Sequence, residues 1–130
     1  MRYKGTRNKE QGSRKINPSK KNLKVVYLYM DNLDQLKTKE IKGLCETNKV
    51  KSLFAFGSIT REDFNDDSDI DLVVDFNESD PFNYTDLYFN LKTKLENLLN
   101  RQIDLLEERA IKNRFFKQEL DRTKVKIYGA

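Results

Sequence analysis

The chain has 130 residues, which is enough for one hydrophobic core but not for two independent ones. It contains no histidine and one cysteine, Cys45, which excludes histidine-based acid–base catalysis, an internal disulfide and the usual zinc sites. The net charge of +4 is unevenly distributed, since residues 1–24 carry nine Lys or Arg and one acid, whereas residues 25–130 carry sixteen Lys or Arg and twenty acids. An enzyme of this composition must rely on carboxylates.

The charge distribution predicts a basic, flexible N-terminal arm at residues 1–24 and one folded domain at residues 25–130. We interpret the arm as a solvated tail, with contact to RNA or to an acidic partner as the alternative, and we expect nucleic-acid binding only there. No apolar run approaches the roughly 20 residues that span a bilayer, and no signal peptide is evident. We therefore expect a cytoplasmic protein that does not enter a membrane.

The pattern of apolar residues predicts alternating helices and strands. The run at 25–30 suits a strand or a helix equally. The further predicted segments, in chain order, are a helix at 31–48 ended by Asn48, a strand at 51–56 broken by Gly57, a loop at 60–68 with one helical turn after Ser58, a strand at 70–76, a loop at 77–83, a helix at 84–100, a strand at 101–106, a helix at 107–122 interrupted near Asn113, and a strand or last helical turn at 125–128. This order is typical of an α/β domain.

The turn after the first of these strands is a candidate phosphate-binding site. Gly57 and Ser58 follow the strand and open a short helical turn, where free backbone N–H groups and a hydroxyl can bind phosphate oxygens. Glycine also permits an unusual φ and a close approach of the backbone. Taken alone, the pair indicates only a turn.

Two aspartates at the next strand are candidate metal ligands. Side chains alternate between the faces of a strand, so Asp69 and Asp71 share one face. Neighbouring carboxylates repel unless a cation lies between them, and this spacing suits Mg²⁺. Asp104, a lone acid in the apolar run 103–106, is a candidate third ligand, since a buried carboxylate needs a partner or a metal. The alternative is that the aspartates merely end the strand in solvent.

Gly57-Ser58, ten further residues and Asp69-x-Asp71 together resemble the G-S-x10-D-x-D signature of the polymerase-β-like nucleotidyltransferase superfamily. With Arg61 and the run SDIDLVV at residues 68–74, the chain looks most like its minimal members, the MNT antitoxins paired with HEPN toxins. The resemblance covers residues 31–128. It implies a minimal nucleotidyltransferase fold, with a mixed sheet of about three to five strands flanked by helices.

The resemblance also implies chemistry and partners. It implies transfer of AMP from ATP, or of a nucleotide from another triphosphate, to a protein acceptor, a tyrosine of a HEPN ribonuclease toxin. Two Mg²⁺ ions would be bound by the catalytic residues. These catalytic and metal-binding residues are Asp69, Asp71 and Asp104, and the nucleotide-binding residues are Gly57, Ser58, Arg61 and Ser68. The aromatic-rich run at 82–89 would supply interface anchors, or would pack Leu87 and Leu91 on the sheet.

The chain departs from the family pattern after the phosphate-binding turn. The family usually has Ala-Arg-Gly around the arginine, whereas this chain has Thr60, Arg61 and Glu62. Glu62 puts a negative side chain where a small residue lets the loop approach phosphate. Two alternatives therefore stay open: a binding module that neutralises its partner by contact alone, and a nucleotidyltransferase that acts on a small molecule such as an aminoglycoside.

Overall fold

In the computed structural model of the protein, which describes residues 32–129, four strands form one mixed sheet. The strands are β1 (Val50–Phe56), β2 (Ile70–Phe76), β3 (Ile103–Glu107) and β4 (Val125–Gly129), in the spatial order β3-β2-β1-β4. β1 is antiparallel to both β2 and β4, and β2 is parallel to β3. The predicted α/β class is confirmed, and the last segment is a strand. The predicted arm and the run 25–30 lie outside the described residues.

Helices and short turns connect these strands. The α-helices within residues 32–129 are α1 (Lys39–Thr47), α2 (Pro81–Leu99) and α3 (Arg114–Thr123). Turns of 3₁₀ type occupy Asp34–Leu36, Gly57–Thr60 and Glu108–Ala110. None of the helices in this part of the chain is long and apolar enough to cross a membrane. The cytoplasmic location stays a prediction.

The first helix is shorter than its apolar spacing predicts. α1 begins at Lys39 rather than near residue 31, because the Thr38 hydroxyl accepts a hydrogen bond from the Ile41 amide and caps the helix there. The residues before Thr38 form a separate 3₁₀ turn. The helix ends at Asn48 as predicted. The helical spacing of apolar residues continues across the start of α1, so the capping residue Thr38 is the feature that marks this start.

Capping residues also set the starts of the other two helices. α2 begins at Pro81 rather than at residue 84, because the Asp80 carboxylate accepts a hydrogen bond from the Asn83 amide and proline suits a first helical position. The segment predicted as helix at 107–122 is a 3₁₀ turn followed by α3, which Asn113 caps. The predicted interruption near Asn113 is confirmed.

The hydrophobic core lies between one face of the sheet and helices α1 and α2. Alternate residues of β2 are buried in it, namely Ile70, Leu72, Val74 and Phe76. Asp71 lies between them in sequence, so its side chain points to the opposite face. On that face α3 covers part of β1, where Phe116 lies edge-on to Phe56 with ring centroids 6.2 Å apart. The fold thus leaves the aspartates on a partly open face.

Candidate active site

Asp71 and Asp104 are neighbours on adjacent strands. They are directly paired in the parallel register of β2 and β3, so their side chains project from the same face of the sheet. Their carboxyl groups are within hydrogen-bonding reach, and Asp69 is close enough for its charge to act on Asp71. The structure therefore brings together Asp71 and Asp104, and it places Asp69 within electrostatic range of Asp71. Their catalytic roles stay a prediction.

The surroundings of Asp71 disfavour the ionised form of its carboxyl group. Partial burial, the charges of Asp104 and Asp69, and the hydrogen bond with Asp104 all raise the pKa of the Asp71 carboxyl, while the charge of Arg61 lowers it. Asp69 and Asp104 are exposed. The expectation that Asp104 is buried is thus wrong: it lies on the face of β3 opposite Ile103 and Leu105, which enter the core.

The carboxylates suit an open divalent-cation site rather than a closed one. Within residues 32–129, no three His, Cys, Asp or Glu side chains form a ready-made metal cage. Partial burial and the charges of the neighbouring carboxylates raise the pKa of Asp71, and a cation near Asp71 and Asp104 would relieve the repulsion between the carboxylates. Mg²⁺ is commonly held by one or two carboxylates, with phosphate oxygens and water completing its shell. The residues present fit such an ion.

The turn after β1 packs directly against the Asp71 carboxylate. Gly57 has a φ of +72°, and a Cβ at this position would overlap the Asp71 carboxylate and lie 3.2 Å from its Cγ. The turn is closed by the Thr60 hydroxyl, which donates to the Gly57 carbonyl over 2.7 Å, and is anchored by buried Ile59. The helical turn predicted after Ser58 is confirmed, and the glycine allows it to approach Asp71.

Arg61 leaves this turn as an exposed side chain. Its Nε lies 3.1 Å from an oxygen of Asp63, and this hydrogen bond lowers the pKa of the Asp63 carboxyl. Glu62, the departure from the family pattern, is also exposed. The structure thus places Arg61 close enough to influence Asp71 electrostatically but pairs its guanidinium with another residue. Its contact with a nucleotide stays a prediction.

Ser68 holds the loop that leads into β2. Its hydroxyl accepts a hydrogen bond from the Asn65 amide over 3.1 Å, and its own amide donates to the Asn65 carbonyl over 3.0 Å. These bonds give Ser68 a structural function in the loop, beside its predicted nucleotide contact.

Arg101 is a residue of this region that the sequence did not single out. Its Nη1 donates to the carbonyls of Asn65 and Ser68, over 2.8 Å and 2.6 Å. The acceptors are backbone oxygens more than thirty residues away, so no local pattern could have revealed them.

A glycine turn that packs against one of two paired carboxylates, on a mixed α/β sheet, is the arrangement of a minimal nucleotidyltransferase. Residues 39–130 match the family described as polymerase beta, nucleotidyltransferase. The chain belongs to this family and is a nucleotidyltransferase. Nucleotidyltransferases of this fold generally use a divalent metal ion.

Curated relatives of this chain carry related names. A Methanocaldococcus jannaschii protein named as a protein adenylyltransferase is 30% identical over 92 residues, which cover 71% of this chain and 91% of that protein. The protein adenylyltransferase MntA of Thermococcus cleftensis is 30% identical over 86 residues, which cover 66% of this chain and 84% of MntA.

Solved structures show the same fold. A minimal nucleotidyltransferase is 27% identical, with a TM-score of 0.59, over 72% of this chain and 93% of that chain. A complex of the tri-AMPylated Shewanella oneidensis HEPN toxin with an MNT antitoxin contains a chain that is 23% identical, with a TM-score of 0.51. That match covers 74% of this chain and 72% of the other, and at this identity it shows the fold alone.

Proposed function

We propose that this protein is a Mg²⁺-dependent adenylyltransferase that transfers AMP from ATP to a tyrosine of a HEPN-type ribonuclease toxin, and thereby acts as its antitoxin. The observation that carries the proposal is the contact between the Gly57 turn and Asp71, beside Asp104, in a chain of the nucleotidyltransferase family. The names of the relatives support adenylyl transfer and a protein acceptor. The AMPylated toxin in complex with an MNT antitoxin supports the kind of partner.

In this proposal, different residues around the turn bind different parts of the Mg²⁺-bound triphosphate. Asp69, Asp71 and Asp104 would hold two Mg²⁺ ions, which would supply neutralisation of charge on the α-phosphate and favour deprotonation of the attacking hydroxyl. Backbone amides of the Gly57–Thr60 turn and the Ser58 hydroxyl bind the β- and γ-phosphates. The turn and the Asp71 carboxylate are in contact, which would place the α-phosphate near the acids.

The reaction is an exchange at the α-phosphorus. The acceptor oxygen forms a bond to that phosphorus while the bond to the oxygen bridging the α- and β-phosphates breaks. Pyrophosphate leaves with the electron pair, and the hydroxyl proton passes to water. The protein contributes mainly position and electrostatic complementarity, as is usual for transfer at phosphorus.

Arg61 can exchange its present partner, Asp63, for the nucleotide with little loss of stability. Its ion pair with Asp63 is exposed on both sides, with 59% and 63% of the two side chains accessible, and such pairs contribute little to stability. A phosphate oxygen of the bound nucleotide can therefore replace Asp63 as the partner of the guanidinium, which forms strong hydrogen bonds with phosphate.

Helix α2 offers contacts for a protein acceptor. Phe82 and Phe89 are 82% and 60% exposed, respectively, although Leu87 and Leu91 on the same helix pack against the core. Large exposed aromatic side chains are frequent anchors of protein–protein interfaces. The predicted packing of residues 82–89 on the sheet is thus found on one side of the helix, and the exposed aromatic side chains on the other side support the proposal of a protein partner.

Neutralisation by contact alone is the second candidate function, and exposed Glu62 at the end of the phosphate-binding turn is the observation that favours it. The two functions differ in their need for the carboxylates. The test is rescue of cell growth from the cognate HEPN-type toxin, by the wild-type protein and by the double variant Asp69→Asn/Asp71→Asn. Adenylyl transfer predicts that the folded double variant fails to protect. Full protection by this variant would instead support contact alone.

A further inference from the structure

Arg101 occupies a position set by the end of α2. Asn100 ends the helix in the left-handed conformation, with φ and ψ of 51° and 47°, and so turns the chain toward β3. The residue that follows, Arg101, is partly buried, and its guanidinium lies over the ring of Phe64 at 4.6 Å from the centroid. A cation in contact with an aromatic face and removed from much of the solvent is held in one place. Burial also lowers the pKa of this guanidinium.

The contacts of Arg101 converge on the loop before β2. A single nitrogen, Nη1, donates to the Asn65 carbonyl over 2.8 Å and to the Ser68 carbonyl over 2.6 Å. One bond falls at each end of the Asn65–Ser68 turn, whose own bonds join those two residues. Charge-assisted bonds of this length are the stronger kind. Arg101 therefore fixes the turn as a unit.

Two hydrogen bonds join the backbone on either side of Asp69 to Arg101 and Gln102. The carbonyl before Asp69, that of Ser68, accepts from Arg101, and the amide after it, that of Ile70, donates to the Gln102 carbonyl over 3.1 Å. The carboxylates of Asp66, Asp69 and Asp67 are also near enough for their charges to act on Arg101. Because Asp69 is exposed, burial does not hold its side chain in place. The two hydrogen bonds instead orient the backbone from which this side chain projects.

We propose that Arg101 is a positioning residue for the reaction, which sets the backbone of Asp69 so that its carboxylate joins Asp71 and Asp104 at a shared divalent cation. This inference rests on the proposed nucleotidyl transfer and deepens it. In this proposal Arg101 acts through the backbone of Asp69, which it holds by way of the Ser68 carbonyl. Partners that orient metal ligands in this way contribute on the order of 10- to 100-fold to metal affinity.

The same strand provides a matched control. Arg109 makes a similar set of contacts at the other end of β2: it donates to the carbonyls of Phe76 and Glu78, each over 3.0 Å, and its guanidinium lies 4.0 Å from the centroid of the Tyr84 ring. It is also paired with Asp75 at 2.8 Å. Removal of Arg109 therefore loosens β2 by a comparable amount without touching the loop that carries Asp69.

The experiment measures Mn²⁺ binding by electron paramagnetic resonance in the presence of a non-hydrolysable ATP analogue, and AMP transfer in parallel. We expect Arg101→Ala to weaken Mn²⁺ binding about tenfold or more and to lower kcat, with an unchanged KM for the acceptor. Arg101→Lys should recover part of the binding, since one nitrogen can donate to both carbonyls. Arg109→Ala should lower the melting temperature and leave Mn²⁺ binding unchanged.

Equal losses of Mn²⁺ binding in Arg101→Ala and Arg109→Ala, or no loss in Arg101→Ala, would overturn the inference. If Arg101→Ala does not fold, Arg101→Lys takes its place: a partial loss of Mn²⁺ binding is expected, and a loss no larger than that of Arg109→Ala would overturn the inference. A wild-type protein that binds Mn²⁺ and nucleotide but transfers no AMP would overturn the proposed function, while the dependence of Mn²⁺ binding on Arg101 would still support the positioning role. A wild-type protein that binds neither would overturn both.

Discussion

Two properties of Gly57 make this residue difficult to replace: its φ of +72° and its contact with the Asp71 carboxylate. A side chain at positive φ costs about 1–2 kcal/mol, and the added Cβ would in addition displace the carboxylate or the turn. The proposed phosphate and metal sites meet at this contact, so a small shift affects both.

Gly57→Ala is therefore expected to reduce AMP transfer by roughly 100-fold, because displacement of a reacting group by about 1 Å has this effect. The matched control is Gly43→Ala in α1, where a Cβ meets nothing within 4 Å. Alanine favours the helix by about 1 kcal/mol relative to glycine, so this variant should unfold at higher temperature with unchanged activity. Steady-state kinetics and thermal melts test both. A Gly57→Ala protein with normal activity would refute the close packing of the turn on Asp71.

The raised pKa of Asp71 has a consequence for stability in the absence of metal. A carboxyl with a folded-state pKa above its unfolded value binds a proton more tightly when folded, so its ionisation at neutral pH destabilises the fold, and this penalty is relieved as the pH falls through the raised pKa. Metal-free Asp71→Asn should thus melt above the wild-type protein at neutral pH, and the difference should shrink in acid.

Thermal melts in EDTA across a pH series measure this difference, with Asp86→Asn, on an exposed position of α2, as the control. Added Mg²⁺ should raise the melting temperature of the wild-type protein more than that of Asp71→Asn, because it relieves the same repulsion. A pH-independent difference, or a less stable Asp71→Asn protein in EDTA, would show that the carboxylates do not repel one another.

Among the secondary-structure elements, β2 and α2 show most clearly what a local sequence can predict. The bounds of β2, Ile70–Phe76, are those predicted, because an apolar run follows the two aspartates and a polar loop follows the run. The start of α2 was misplaced, since the capping residue Asp80 and Pro81 precede the first regularly spaced apolar residue. Strand and helix identity follow from apolar spacing, whereas helix starts follow from single polar residues.

Asp80→Ala tests this capping. Loss of the hydrogen bond to the Asn83 amide should lower the free energy of unfolding by about 1 kcal/mol, whereas Asp80→Asn, which retains an acceptor oxygen, should cost less. Chemical denaturation provides the measurement, and the exposed neighbour Ser79 provides a control through Ser79→Ala. A cost no larger than that of Ser79→Ala would show that Asp80 does not cap the helix.

For the whole molecule, the Gly57 turn and the carboxylates of Asp69 and Asp71 could be predicted from the sequence, because the family signature fixes the spacing between them. Two features could not. The exposure of Asp104 depends on which face of the sheet the helices leave open, and the apolar neighbours of Asp104 in sequence point to the other face. The contacts of Arg101 depend on the C-terminal turn of α2 and on backbone carbonyls distant in sequence. Both are products of tertiary packing.

One face of the sheet packs on the core and the opposite face carries the acids, and this separation explains how so small a domain can support the proposed reaction. Helices α1 and α2 stabilise the sheet from one side. The acids and the Gly57 turn occupy the other side, where the proposed nucleotide and macromolecular acceptor can both approach.

The most direct test of the central claim compares ATP labelled at the α-phosphate with ATP labelled at the γ-phosphate, in the presence of Mg²⁺ and the cognate toxin. Adenylyl transfer predicts label on the toxin from α-labelled ATP only, release of pyrophosphate, and no labelling with the folded Asp69→Asn or Asp71→Asn variant. Label from γ-labelled ATP, or no label from either donor while the protein binds ATP and the toxin, would contradict it.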